Sequence, residues 1–161
     1  MEIWKLKVKK NKLMAEIKVK NVFPILVAFI EGKGKISDFN RDLDRLYRYI
    51  YENNYQGKIA GPTIGLFYTK FGGKYIAAVP IKEKFPVKED IKIKRIPKIY
   101  CVSIIHKGSW KNIDDSFNKL FNYIKNHKLV WRFPVREIYL QCDGEENDYL
   151  TEIQIPLNHF R

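Results

Sequence analysis

A self-similarity at a spacing near 74 residues constrains this chain more than any other feature of its sequence. Gly34 and Gly108, Leu46 and Leu120, and Ile50 and Ile124 are each 74 positions apart. Pro62 and Pro134 are 72 apart, and Pro80 and Pro156 are 76 apart. Between these landmarks the same patterns follow in the same order. In the first copy an apolar run, Phe23 to Ile30, ends at Gly32-Lys33-Gly34. Phe39, Leu43, Leu46, Tyr47 and Ile50 then recur at helical spacing, predicting a helix from Ser37 to about Asn53. Ser37 is the expected N-cap, with Asp38 and Asp42 favourable to the helix dipole. Strands are predicted over Thr63 to Thr69 and Tyr75 to Ile81, joined by the turn Phe71-Gly72-Gly73-Lys74. In the second copy a strand from Ile99 to Ile105 breaks at Lys107-Gly108. A helix from about Asn112 to His127 buries Ile113, Phe117, Leu120, Phe121 and Ile124. Pro134 opens a strand to Cys142, and a hairpin returns from Tyr149 to Leu157.

The pattern predicts an α+β fold made of tandem duplicated β-α-β-β units, all within one domain spanning 1–161. The first unit covers about 22–81, a charged linker with Pro86 covers 82–95, and the second unit covers about 96–157. Additional N-terminal strands are predicted within 2–20, from Glu2 to Lys9 and from Leu13 to Lys20. Two such units join one antiparallel sheet, with both helices on one face and a central pocket expected on the other, at the seam between copies.

Composition narrows the classes available. Apolar residues at 45% and aromatics at 14% exclude a disordered chain. No run approaches the roughly 18 apolar residues of a membrane-spanning helix. The longest, Val22 to Ile30, is interrupted by Pro24. The first residues carry no continuous apolar segment or small-residue cleavage site, so a cytoplasmic protein is expected. Cys101 and Cys142 are too few for a disulfide framework and read as two small buried hydrophobes. The three histidines have no metal-ligand spacing, and nothing in the sequence calls for a cofactor. His106, beside a turn, reads as structural rather than as a ligand or proton carrier, and His127 suits a helix C-terminus.

The net charge of +12 attracts anionic partners without specifying one. Its basic residues are mostly lysines alternating with apolar residues, as in Ile3-Trp4-Lys5-Leu6-Lys7-Val8-Lys9, which is the pattern of a solvated strand face. Nucleic acid is therefore not the favoured partner. Against this background residues 137 to 152 hold six acids and no Lys or Arg.

Strand alternation sorts these acids by face. Ile138, Leu140 and Cys142 are expected toward the helices, with Val135, Glu137, Tyr139 and Gln141 on the pocket side. In the returning strand Thr151, Ile153 and Ile155 face the helices, leaving Leu150, Glu152 and Gln154 opposite. A symmetric hairpin then places Tyr139 across from Glu152, and Glu137 across from Gln154. The matching positions of the first copy are Phe67, Ile76, Ala78 and Gly65. The expected pocket is apolar on one side and acidic on the other, suited to a flat, lipophilic cation. The other reading of Glu152 is an exposed edge position or an ion pair with a lysine.

The stretches His106-Lys107-Gly108-Ser109-Trp110, Arg136-Glu137-Ile138-Tyr139-Leu140 and Thr151-Glu152-Ile153-Gln154-Ile155-Pro156 carry a resemblance to a known family. Together with Phe117, Leu120 and Ile124 they resemble the GyrI-like small-molecule-binding domain, which is also the effector-binding half of AraC-type and MerR-type multidrug-responsive regulators. The resemblance runs from about Phe23 to the C-terminus and is densest in the second copy. It implies a duplicated β-α-β-β fold whose pocket engages cationic lipophilic ligands through an acidic residue of the last strand, matched here by Glu152. Trp110, which also reads as core, stands where the family usually has tyrosine. The chain shows no DNA-binding domain, so a free-standing ligand-binding protein is expected, in a sensing or sequestering role. The candidate ligand-binding residues are Glu152, Tyr139, Glu137, Trp110, Phe67, Ile76 and Gln154. Branches of the family described as hydrolases of strained, alkylating compounds imply an alternative, in which Glu152 with Tyr139 or Glu137 activates a water. Members that contact DNA gyrase imply a second alternative, a protein-interaction module.

Overall fold

The computed structural model describes residues 16–69 and 72–158. Its elements run β1 (Lys18–Val22), β2 (Ile25–Gly34), α1 (Ile36–Glu52), β3 (Ile64–Phe67), β4 (Gly73–Pro80), β5 (Ile91–Ile96), β6 (Ile99–Lys107), α2 (Ile113–Asn126), β7 (Val135–Gln141) and β8 (Leu150–Pro156). All eight strands form one antiparallel sheet in the order β1-β6-β8-β7-β3-β4-β2-β5. The expected α+β class with two helices is what folds. The expected strand Glu2–Lys9, and most of Leu13–Lys20, lie outside the described residues.

Each half supplies three consecutive strands of the order, and the halves join where β3 pairs with β7, with Gly65 opposite Glu137. Two features differ from the sequence reading. The expected linker over 82–95 carries most of β5, which pairs with β2. The element order that repeats is therefore β-β-α-β-β. In addition, β1 leaves its own half to pair with β6, while β5 pairs with β2. Val22↔Ile99 and Ile25↔Ile96 keep one register, so β1–β2 and β5–β6 form a single bent ribbon with Pro24 and Pro97 facing each other. Neither proline has an N–H to offer the ladder, so the ribbon bends where it has no bonds to lose. The bend links strands at opposite ends of the order, and the sheet curls.

Both helices lie on one side. Leu46 and Ile50 of α1 pack on Ala28, Ile30 and Val79, whereas Leu120 and Ile124 of α2 pack on Val102, Ile104, Ile153 and Ile155. The inner side of the curl holds a separate cluster, Val27, Phe29, Ile64, Leu66, Ile76, Ala78, Ile96 and Ile138. The cap of α1 corrects the expectation for Ser37. The helix starts one residue earlier, and the Asp38 carboxylate accepts from the Lys35 N–H at 2.8 Å. Cys101 is buried as expected, but Cys142 lies just past the end of β7 and is exposed.

Candidate functional site

The strand β7 carries the acid of the site, and a β-bulge decides which acid that is. At the hairpin tip Gln141 pairs with Leu150, which is the register a symmetric hairpin requires. The register then shifts between Tyr139 and Gln141, so Tyr139 pairs with Thr151 and Ile138 with Glu152. One extra residue, Leu140, reverses the faces of everything before it. Val135, Glu137 and Tyr139 therefore lie on the helix side with Thr151 and Ile153, while Arg136 and Ile138 share the inner side with Glu152 and Gln154. The expected pairs Tyr139–Glu152 and Glu137–Gln154 do not form.

The pocket is also on the other side of the sheet from the one expected. A hollow of about 720 Å³ opens on the helix side, between α1 and α2 and over the β3–β7 seam. Ile36 and Phe39 of α1 wall it on one side, and Ile113, Phe117 and Phe121 of α2 on the other. Phe67, Val135 and Glu137 are on its sheet side, joined by Tyr75, Trp131 and Phe133. Each helix presents two stripes. One, with Leu46 or Leu120, is fully buried on its own half of the sheet. The other, with Phe39 or Phe117, turns toward the seam, where no third helix among the described residues covers it. This volume falls within the range of small-molecule sites.

Glu137 is the acid at the base of this space. Burial pushes its carboxyl up from 4.5 to about 7, and burial is the sole cause. The shift corresponds to about 3 kcal/mol in favour of the neutral acid. Tyr139, two residues on and on the same face, packs against Phe39 and Trp110. Burial, and then the Glu137 charge, raise its hydroxyl well above the usual tyrosine range. The rim is mixed, with Lys35 and Lys74 on one side and Asp114 on the other. Tyr75 is held by a hydrogen bond donated to the buried Asp42 of α1, and Gly32 opposite it leaves room for that contact.

The candidate residues divide accordingly. Phe67 and Glu137 line the hollow. Tyr139 and Trp110 pack behind it, and the Trp110 Nε1–H donates to Thr151 Oγ1 at 2.9 Å. Ile76 is fully buried in the inner cluster. Glu152 and Gln154 are on the inner side as well, remote from the hollow. The Glu152 carboxylate pairs with Lys20 Nζ at 2.7 Å and accepts from Gln154 Nε2 at 2.8 Å. This is the lysine pairing that the sequence left open. Phe39, Tyr75, Phe117, Phe121, Trp131 and Phe133 were missed as site residues. A surplus of aromatics on the two helix patterns was the available signal.

His106 is structural. Its Nε2–H donates to the Ser109 carbonyl at 3.0 Å, and Nδ1 meets the Ser116 hydroxyl of α2 at 2.7 Å. Among the described residues no group of three His, Cys, Asp or Glu side chains is placed to hold a metal ion, and no helix is long and apolar enough to cross a membrane.

The sequence matches the family described as the GyrI-like small molecule binding domain over residues 15–158. No curated protein sequence matches the chain. Among solved structures, EcmrR in a complex with DNA superposes with a TM-score of 0.80 at 16% identity, covering 99% of this chain. This chain spans only 63% of the length of that one. A hydrolase encoded by lin2189 from Listeria innocua gives 0.72 at 13% identity, covering 96% of this chain and 97% of the other. SAV2435 bound to tetraphenylphosphonium gives 0.64 at 16% identity, covering 89% and 94%. At these identities the likenesses establish a shared fold.

Proposed function

Since this chain belongs to the GyrI-like family of small-molecule-binding domains, we propose that it holds a flat or globular lipophilic cation in the hollow between α1 and α2, with Glu137 as the counter-charge. The observation that carries this reading is a carboxyl enclosed by aromatic side chains with burial alone setting its protonation. Such a group is costly to ionise, and a bound cation offsets that cost while the aromatic faces attract it. The tetraphenylphosphonium in the SAV2435 structure is a ligand of this chemical class. A sensing or sequestering role follows.

Tetraphenylphosphonium titrated into the protein at pH 8 should quench Trp131, which lines the hollow, and raise the melting temperature. Glu137→Gln should weaken binding by about tenfold or more, in keeping with loss of one partner of a desolvated charge pair. Glu152→Gln should leave affinity unchanged. Equal affinity for the native protein and Glu137→Gln would overturn the assignment of the counter-charge.

A second reading draws on a different property of the same group. A carboxyl near 7, with a tyrosine hydroxyl beside it, is suited to general acid–base work at neutral pH, so the site could hydrolyse a strained ligand. Turnover of such a compound, abolished in Glu137→Gln, would distinguish an enzyme from a receptor.

A further inference from the structure

The carboxylate at the base of the hollow has no twin, and the residue in the equivalent place of the first half is a glycine. Gly65 and Glu137 are 72 positions apart, within the spacing of the repeat, and they face each other across the β3–β7 seam. A Cβ built on Gly65 would lie 2.6 Å from Phe67 Cε2, 2.8 Å from Phe67 Cζ and 3.0 Å from the Tyr139 hydroxyl. Ordinary carbon contacts are about 3.5–4 Å. Gly65 is not among the residues with positive φ, so its backbone does not call for glycine. The demand is for space alone. Phe67, two residues further along the same face, leans back and covers the bare backbone, and Tyr139 reaches over it from the neighbouring strand.

The Phe67 ring cannot be displaced freely. Its centroid is 5.2 Å from that of Phe39, and both rings line the hollow. A side chain at position 65 would lift the Phe67 ring off the sheet and into the space between the helices. We infer that Gly65 is a specificity-determining residue: its missing side chain keeps the Phe67 ring folded down, and this sets the largest ligand the hollow admits beside Glu137. The inference rests on the reading of the hollow as a cation site.

The test compares a bulky cation, tetraphenylphosphonium, with a slim one, N-methylquinolinium, in the native protein, Gly65→Ala and Gly65→Ala/Phe67→Leu. Gly65→Ala should lose about tenfold or more in affinity for the bulky cation, equivalent to at least one decade in Kd, and little for the slim one. Trimming Phe67 removes the obstructing atoms, so the double variant should recover most of the bulky-cation affinity. Unchanged selectivity in Gly65→Ala, or no recovery in the double variant, overturns the inference. Should Gly65→Ala lose its cooperative melting transition, the double variant must both fold and bind the bulky cation. Binding of neither cation by the native protein would sink the cation reading instead. Gly65 is then judged by the crystal structure of Gly65→Ala, where an unmoved Phe67 ring refutes its assigned role.

Discussion

A carboxyl held near pH 7 by burial makes Glu137 the residue through which solvent pH acts on this protein. In the unfolded chain it titrates near 4.5, so between that value and about 7 the native state holds a proton that the unfolded state has released. The stability tied to this proton is complete below pH 4.5 and is lost as pH rises through 7. Glu137→Gln, which mimics the neutral acid, should therefore melt several degrees above the native protein at pH 8 and level with it at pH 4, as read by calorimetry. A permanent cation favours the ionised form. Its affinity should climb about tenfold per pH unit below 7 and flatten above it, and binding at pH 7 should release a fraction of a proton, measurable by calorimetry in two buffers of different ionisation enthalpy.

Among the elements, the two helices do separate jobs with separate stripes. Leu120 is fully buried against its own half of the sheet and does not line the hollow, packing with Ile124 against β6 and β8. Leu120→Ala should cost about 2–5 kcal/mol and lower the melting temperature by roughly 5–15 °C, while ligand affinity in the folded fraction holds. Phe117 and Phe121 on the adjoining stripe should show the reverse balance. Helix periodicity made these positions legible as apolar, but not which of them face a sheet and which face a void. The hairpin of β7 and β8 was legible to within a residue at its ends. A single extra residue at Leu140 nevertheless turned Glu137 to the helix side while Glu152 kept the face expected for it, since alternation has period two and registers a bulge as a reversal of every residue before it. The strand β5 was hidden at the end of a charged stretch containing Pro86, which read as a linker although Ile91, Ile93 and Ile96 are interleaved with charged residues as on a half-solvated strand.

For the whole molecule, a net charge of +12 opposes the approach of a cation even though the hollow attracts it at close range. The bulk field is screened by salt over a Debye length of about 10 Å at 0.1 M, whereas the buried contact with Glu137 is screened much less. The association rate of tetraphenylphosphonium should therefore rise with ionic strength, by stopped-flow quenching of Trp131, while its dissociation rate changes little. A fall in association rate with salt would place the attracting charge outside the hollow. By itself the sequence determined the α+β class, the strand-helix-strand-strand part of the repeat, both helices with their buried leucines, and an acid-bearing hairpin, because these follow from local periodicity and from spacings along the chain. Only the tertiary structure decided the side of the sheet on which the hollow opens, the exchange of β1 and β5 between halves, and the choice of Glu137 over Glu152. These depend on which strands pair and in what register, and pairing energy comes from residues far apart in sequence whose alternation looks the same whichever way the sheet is curled.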